Sequence, residues 1–296
     1  MKYYQNIKQE LINNEIYVKV KDYSKNKSLL ETYYNVGKLL FEAGKHYGES
    51  IIKEYSNKLI KDIGKKYNER TLRRMRQLYT LFKNEKWTPM ATKLTWSHYC
   101  ELLSLNNIDE INYYINICET QNLSKRELRN KIKLKEYDRL DQKTKQKLIN
   151  KEKEKIEDFI KNPILIKNTL NYNEISEKVL KRLILENIET FLKELGEVFC
   201  FIESEYKIKI GDRYNYIDLL LFNIKYNCYV VVELKVTELK KEHIGQISTY
   251  INYIDKNIKT INQDKTIGII IVKKDNMFLM EYSSDVRIFN REYSLI

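Results

Sequence analysis

The sequence predicts two domains, a helical one followed by an α/β sandwich built on a mixed sheet. The chain has 296 residues, enough for two domains that each bury a core. It contains only two prolines and eight glycines, so long helices are compatible with most of the sequence before residue 195. Beyond that point, short runs of β-branched and aromatic residues alternate with turn residues, which is typical of strands.

Residues 1–135 are predicted to form the helical domain. Apolar residues at helical spacing over 29–43 predict a helix, with Gly44 as its C-terminal cap. Ser124 and Glu127 form a capping box, which predicts the start of another helix. Further helices are predicted over 50–63, 69–82, 94–105 and 109–119.

A charged segment over 136–165 follows the helical domain. Its side chains are almost all charged or polar, and Asn162-Pro163 lies near its end. We interpret it as a linker or an exposed helix, in preference to a dedicated DNA-binding tail. The second domain then covers residues 166–296.

The second domain begins with an amphipathic pattern over 174–195, which predicts a helix that ends at Gly196. Two predicted strands lead into a hairpin, and a helix over 240–254 and a buried strand complete the domain. Helix, antiparallel strands, helix and strand in this order predict an α/β sandwich. The predicted strands outside the hairpin cover 198–202, 206–210 and 267–272.

Two carboxylates and a lysine lie on the hairpin. A turn centred between Lys225 and Tyr226 places Asp218 directly opposite Glu233. Opposed residues have Cβ atoms about 5 Å apart, and Lys235 lies two residues beyond Glu233, on the same face of the strand. This spacing is compatible with an ordinary salt bridge, but it also predicts a site for a hard cation and a phosphate.

The chemistry of these residues suits Mg²⁺, which takes one or two carboxylates together with phosphate oxygens and waters. Asp218 and Glu233 supply the carboxylates, and the backbone carbonyl of Leu234 offers a further oxygen. Such a cation polarises a phosphate and lowers the pKa of a bound water. Lys235 is then a cation beside the phosphate that offsets developing negative charge.

The following helix adds polar residues beside this site. Gln246 and Tyr250 are separated by four residues and share one helix face. Gln246 is expected to hold a lysine, a water or a phosphate, whereas Tyr250 either stacks on a base or fixes the helix. His243 is expected to be a surface residue or a phosphate contact rather than a metal ligand.

The formal charge of +12 favours a polyanionic partner, although 41 acidic residues weaken that argument. Arginines cluster on the helix predicted over 69–82, which follows a turn at Gly64, as in a recognition helix. A second basic helix follows Ser124. Solvated basic faces are the alternative to nucleic-acid contacts, and the candidate contacts are Arg70, Arg73, Arg74, Arg76, Lys125, Arg126 and Arg129.

The N-terminal residues contain no apolar leader, and no apolar run reaches the length of a membrane span. We therefore expect a cytoplasmic protein with no membrane partner.

These motifs together resemble the PD-(D/E)XK nuclease superfamily. The residues that carry the resemblance are Asp218, Glu233-Leu234-Lys235 and Gln246 to Tyr250. The chain is similar, more narrowly, to the YhcG-type branch of that superfamily, and nearly the whole chain is covered. The similarity to this branch lies in residues 191–196, 216–220, 233–235, 245–246 and 94–99.

The resemblance implies a winged-helix-like N-terminal domain and a restriction-endonuclease-like α/β domain that uses Mg²⁺, for which Mn²⁺ can substitute. Asp218 and Glu233 would be metal ligands, Lys235 catalytic and Gln246 supporting. Many members add a carboxylate from the first helix of the domain, but here Lys181 stands at the expected position. That ligand stays unassigned, and the acids available on the helix are Glu177, Glu186 and Glu189.

The resulting hypothesis is a metal-dependent DNA nuclease of defence, restriction or repair. The alternative is a DNA-binding or complex-forming protein whose nuclease fold is inactive or activated by a partner. DNA is the expected partner. A homodimer and protein partners of a defence or repair system stay open.

Overall fold

The computed structural model describes residues 2–20, 25–84, 93–150, 152–153, 155–169, 172, 175–196, 198–281 and 285–296. The chain divides into two compact units, Met1–Tyr137 and Asp138–Ile296. Among the described residues, no helix is both long enough and apolar enough to cross a membrane.

The first unit is helical, as the sequence predicts, and its described residues include no strand. The helical fold is therefore confirmed, whereas the β-wing of a winged helix is not seen in the described part of this unit. The helices are α1 (Lys2–Val20), α2 (Lys25–Tyr47), α3 (Ile51–Asp62), α4 (Glu69–Phe82), α5 (Trp96–Leu102), α6 (Ile108–Gln121) and α7 (Lys125–Lys133).

Local signals explain where these helices begin and end. Helix α4 begins after Asn68, whose side chain accepts the backbone N–H of Thr71, and α7 begins with the predicted capping box of Ser124 and Glu127. Gly44 does not end α2, because the helix continues to Tyr47. Gly48, at a φ of 77°, follows the true end, where a left-handed residue is favoured.

Helices α2 and α4 approach closely at Gly37. The core between them includes Val36, Leu72 and Met75, which are all fully buried. A Cβ atom built on Gly37 would lie 2.1 Å from the backbone oxygen of Met75. Only a glycine permits this helix–helix distance, so Gly37 sets the packing of the first core.

The second unit contains a six-stranded mixed sheet of order β1-β6-β5-β4-β3-β2. The β2–β3 and β3–β4 pairs are antiparallel, whereas β4–β5, β5–β6 and β1–β6 are parallel. The elements are α8 (Gln142–Asn150), β1 (Ile164–Ile166), α9 (Glu177–Glu186), α10 (Ile188–Leu195), β2 (Phe199–Ile210), β3 (Arg213–Asn223), β4 (Cys228–Glu238), α11 (Lys241–Asn257), β5 (Ile267–Lys274), α12 (Met277–Glu281) and β6 (Ile288–Leu295).

Apolar side chains cover both faces of the central strands, which explains why β4 and β5 are almost continuously apolar. One core joins the sheet to α9 and α10 and includes Leu183, Val232 and Ile269. The other core joins the sheet to α11 and includes Val231 and Ile251. The predicted α/β sandwich with a mixed sheet is confirmed.

Two predicted element boundaries differ from the structure. The helix predicted over 174–195 is broken at Asn187 into α9 and α10. The two strands predicted over 198–202 and 206–210 form one long strand, β2. A bulge between Phe201 and Glu203 adds one residue to β2, so the side chains of this strand do not alternate regularly between its two faces.

The segment over 136–165 differs from the solvated spacer that its composition suggests. Ile156, Ile160 and Ile164 lie in the core beneath the sheet. The guanidinium of Arg139 pairs with the buried carboxylate of Glu194, which also accepts the backbone N–H of Leu165 at 3.1 Å. A few apolar residues and the buried carboxylate of Glu194, which pairs with both Arg139 and Lys161, therefore anchor a segment that is charged overall.

We expect Gly37→Ala to destabilise the protein by about 1–3 kcal/mol, because the new methyl group overlaps the Met75 backbone. Gly44→Ala is the matched control on the same helix, since its Cβ would lie 3.5 Å from its nearest neighbour, the end of the Arg76 side chain. That variant should be neutral or more stable by up to about 1 kcal/mol. Denaturant unfolding of both variants measures the difference, and equal stabilities would contradict the close approach.

Candidate active site at the fork between two strands

Strands β3 and β4 stop pairing at the point where the acidic residues begin. Leu219 pairs with Val232 and Phe222 with Tyr229, which is the register that the sequence predicts. The ladder ends at Leu219 and Val232, although both strands continue beyond it. We call this place the fork and define it by Asp218 on β3 and residues 233–235 on β4.

The carboxylates of the fork replace the missing partner strand as hydrogen-bond acceptors. The Asp218 Oδ2 atom accepts the backbone N–H of Leu234 at 2.9 Å, and the Glu233 Oε1 atom accepts the backbone N–H of Asp218 at 3.4 Å. Both side chains are therefore held in place by the backbone. Because the N–H and C=O of one strand residue point to the same neighbour, the Leu234 carbonyl points into the fork as well.

Glu233 is a buried carboxyl with an unusual ionisation. Its side chain is 2% exposed. Burial, and after it the negative charge of Asp218, raise the pKa of Glu233 to about 7, although Lys235 opposes the shift. A further positive charge close to this carboxyl would favour its ionised form.

Lys235 connects the fork to helix α9. Its Nζ atom lies 3.5 Å from Glu233 Oε2 and 3.9 Å from Glu177 Oε2. Of the three acids on the first helical segment, the structure brings Glu177 to the site. Glu186 pairs with Arg182 and Glu189 with Lys193 on the helix surface.

Lys181 is the site residue for which the sequence suggested no role. Its Nζ atom lies 2.6 Å from Asp218 Oδ1 and 3.1 Å from Glu205 Oε1. Both oxygens of Asp218 are thus engaged, one by Lys181 and the other by the Leu234 N–H. The four-residue spacing from Glu177 to Lys181 was the available signal, because it places both on one helix face.

Helix α11 supports the fork from its other side. Gln246 Nε2 donates to the Tyr250 hydroxyl at 3.1 Å, and Tyr250 is 5% exposed in the core. Of the two roles open to Tyr250, burial favours fixing the helix over stacking on a base. His243 Nδ1 accepts the Lys240 N–H, and burial followed by the charge of Lys235 lowers the pKa of His243.

The donor set of the fork suits a hard divalent cation. Asp218 and Glu233 offer carboxylate oxygens next to the Leu234 carbonyl, and Mg²⁺ commonly takes only one or two carboxylates from the protein. Across the described residues, no group of three or more His, Cys, Asp or Glu side chains is placed to hold a metal ion. A cation here would therefore depend on waters and substrate oxygens for its remaining ligands.

The candidate nucleic-acid contacts of the first unit fall into two helices. On α4, Arg70, Arg73 and Arg74 line a depression of about 430 Å³ together with Glu69 and Gln77. Arg73 also pairs with Glu69, so part of its charge is neutralised within the helix.

The remaining cations of this unit have mixed surroundings. Arg76 pairs with Glu49 at 2.5 Å. On α7, Arg129 and Lys125 both pair with Glu101. Arg126 is exposed, and within the described part of the chain neither Arg126 nor Arg70 forms an ion pair with a carboxylate.

Two solved structures illustrate the partial likeness of this chain to known ones. One is a crystal structure of a repair endonuclease from Pyrococcus abyssi, with 21% identity and a TM-score of 0.30. It covers 41% of this chain and 48% of that one. Another is an EndoMS–dsDNA complex, with 20% identity, a TM-score of 0.31, and coverage of 41% of this chain and 47% of that one. This chain thus spans about half the length of these structures.

Family models match both units. Residues 7–139 match the DUF1016 N-terminal domain, and residues 157–294 match the YhcG PDDEXK nuclease domain. The YhcG protein of Escherichia coli (strain K12) is 23% identical over 297 residues, which covers 84% of this chain and 77% of that protein. The chain therefore carries a DUF1016 N-terminal domain followed by a YhcG PDDEXK nuclease domain.

Proposed function

We propose that this protein is a metal-dependent endodeoxyribonuclease that hydrolyses phosphodiester bonds in DNA. The observation that carries the proposal is the fork, where Asp218, Glu233 and Lys235 meet inside a domain of a nuclease family. A purely structural sheet gains little from two acids at this depth, because the desolvation of a carboxylate is costly even when a lysine pairs with it. Defence, restriction and DNA repair are the settings that fit such an enzyme.

Asp218, Glu233 and the Leu234 carbonyl would hold the cation, with Mg²⁺ as the natural ion and Mn²⁺ as a substitute. When bound, such an ion polarises the phosphate and lowers the pKa of a coordinated water. Glu177 is the further acid that α9 brings beside Lys235, and Gln246 supports the site from α11.

Hydrolysis joins the oxygen of water to phosphorus, breaks one P–O ester bond and leaves a proton on the departing oxygen. Lys235 is the cation placed to hold a phosphate oxygen and to offset the charge that develops there. The proton of the attacking water needs an acceptor, and the carboxylates of the fork are the bases within the site. Each of these roles uses a residue that is already fixed by a backbone or side-chain contact.

Arg70, Arg74 and Arg126 are the strongest candidates for DNA contacts in the first unit. The other basic candidates of this unit each form an ion pair with an acidic residue. Arg73, Arg76, Lys125 and Arg129 would contribute where a phosphate replaces Glu69, Glu49 or Glu101. A homodimer would be expected if the enzyme makes paired cuts in duplex DNA.

One observation favours a second candidate, a DNA-binding protein whose nuclease site is dormant until a partner activates it. Lys181 neutralises Asp218, which is one of the two carboxylates that a cation needs. An ammonium group at this position competes directly with a metal ion. Activation would then require a substrate or a partner that draws Lys181 away.

Cleavage of labelled single-stranded, duplex, nicked and four-way-junction DNA with Mg²⁺, Mn²⁺ or EDTA tests the first proposal. We expect metal-dependent cutting that Glu233→Gln abolishes, because the amide keeps the shape and removes a ligand charge. Lys235→Ala should reduce turnover by at least about 100-fold with little effect on metal affinity. Glu238→Gln, on the exposed end of the same strand, is the control. Absence of cutting, with salt-sensitive binding retained, would favour the dormant protein.

Lys181→Met should tighten the binding of Mn²⁺ by on the order of tenfold, because the ion no longer displaces an ammonium group from Asp218. Lys178→Met, an exposed position on the same helix, should leave the affinity unchanged. Titration calorimetry with Mn²⁺ alone measures both. Weaker binding in the Lys181 variant would show that the lysine organises the site instead of competing for it.

In EDTA, Glu233→Gln should gain stability over the native protein as pH rises. The raised pKa of Glu233 means that its favourable protonated form is lost between pH 5 and 8, at a cost of roughly 3 kcal/mol, whereas glutamine does not titrate. Thermal unfolding across this range measures the difference. Glu189 is an exposed acid whose pKa is lowered by Lys193, so the stability difference between Glu189→Gln and the native protein should not change over this pH range. A stability difference that is also independent of pH for Glu233→Gln would contradict the burial of Glu233.

A further inference from the structure

A two-stranded arm extends from the fork. Beyond the last β3–β4 pair, the first half of β3 pairs only with β2, and the two strands meet at a turn over Gly211-Asp212. We define the arm as residues 206–217. It is continuous with the candidate site, because Asp218 is the next residue along β3.

One face of the arm is fixed to the protein. Ile208 is 1% exposed and Ile217 is fully buried, and both belong to the core beneath α11. Tyr206 and Ile210 pack against the same core. The arm is therefore held in place by apolar packing.

The other face of the arm combines aromatic rings with positive charge. Tyr214 is 57% exposed and Tyr216 is 53% exposed. Lys209 pairs across the strands with Tyr214, and Lys207 with Tyr216, so all four side chains lie on one face of the sheet. We call these four residues the tyrosine–lysine face.

The charges of this face are available to a ligand. The Nζ atoms of Lys207 and Lys209 lie 3.9 Å and 5.9 Å from the centre of the Tyr214 ring, and 57% of Tyr214 stays exposed. Within the described part of the chain, neither Lys207 nor Lys209 pairs with a carboxylate. Arg213 is exposed near the turn, but it pairs with Ile210 and therefore lies on the other face of the arm.

We propose that the tyrosine–lysine face binds single-stranded DNA next to the candidate catalytic site. Exposed rings accept unpaired bases by stacking, and the lysines attract the backbone phosphates. Bases inside a duplex are already stacked on each other and cannot use the rings in this way. Because strand residues alternate, Tyr216 and Asp218 project to the same side of β3, which leads a strand on this face toward the fork. This inference rests on the proposed nuclease function and names the form of DNA that the site prefers.

Tyrosine and lysine are also ordinary residues for an exposed strand. Tyrosine has a high strand propensity, and lysine at a sheet edge prevents pairing with another chain. These roles do not require bound DNA. A test of the proposal must therefore distinguish a tyrosine that stacks on a base from one that only stabilises the strand.

Fluorescence anisotropy of the full chain with a labelled single-stranded oligonucleotide, and with the duplex of the same sequence, provides that test. EDTA prevents cleavage, so the measurement does not depend on catalysis. We expect Tyr214→Ala and Tyr216→Ala each to weaken single-strand binding by at least about fivefold and duplex binding by less than about twofold. Tyr214→Phe and Tyr216→Phe should retain the affinity of the native protein, because phenylalanine still stacks.

Two sets of controls complete the design. Phe278→Ala removes an aromatic residue that is 75% exposed elsewhere in the same unit, and it should change neither affinity. Lys207→Ala and Lys209→Ala should weaken both forms of DNA and reduce the dependence of affinity on salt. Thermal unfolding confirms that the variants stay folded, which is expected because the rings are exposed.

The outcomes separate this inference from the proposed function. Equal losses for single strands and duplex in the tyrosine variants, or no loss at all, would overturn the stacking role while leaving a nuclease that still binds and cuts DNA. Binding of neither form by the native protein, together with no cleavage in Mg²⁺ or Mn²⁺, would overturn the proposed function itself. Selective loss of single-strand affinity, rescued by phenylalanine, supports the inference.

Discussion

The hydrogen bonds of the fork are the constraint on which the site depends. Where β3 and β4 part, the N–H groups of Asp218 and Leu234 lose the ladder partners that buried backbone groups require. The carboxylates of Glu233 and Asp218 accept these two N–H groups. These hydrogen bonds also hold the two carboxylates close together at the fork. Structure and chemistry are coupled here, since a substitution that alters the acids also alters how the strands end.

Two acids held this way create an electrostatic problem that lysines resolve. Lys181 balances Asp218, and Lys235 balances Glu233, with Glu177 close to Lys235. Glu233 still carries a raised pKa because burial outweighs its positive neighbour. The positive charge of Lys235 is therefore not enough to offset the burial of the Glu233 carboxylate. A divalent cation would stabilise the two carboxylates more strongly, provided that Lys181 moves away from Asp218.

The sequence predicted the register of the hairpin because strands have a period of two and the turn length fixes which residues are opposed. It could not place Glu177 or Lys181 against the fork, since helical spacing shows which residues share a face but not which strand that face meets. The sequence also did not predict the break at Asn187, because the apolar pattern continues from α9 into α10. The segment over 136–165 was predicted to be exposed because most of its residues are charged, although three of its isoleucines lie in the core.

Net charge is a poor guide to where this protein would meet DNA. Many of its cations are paired with acids of the same unit, such as Arg76 with Glu49 and Arg129 with Glu101. Exposed pairs of this kind contribute little to stability, but they reduce the positive field that attracts phosphate. Among the described residues, neither Lys207 nor Lys209 forms such a pair, and both lie beside exposed rings a few residues from the fork. The position of unpaired charge, more than its total, therefore points to the nuclease domain as a binding surface in its own right.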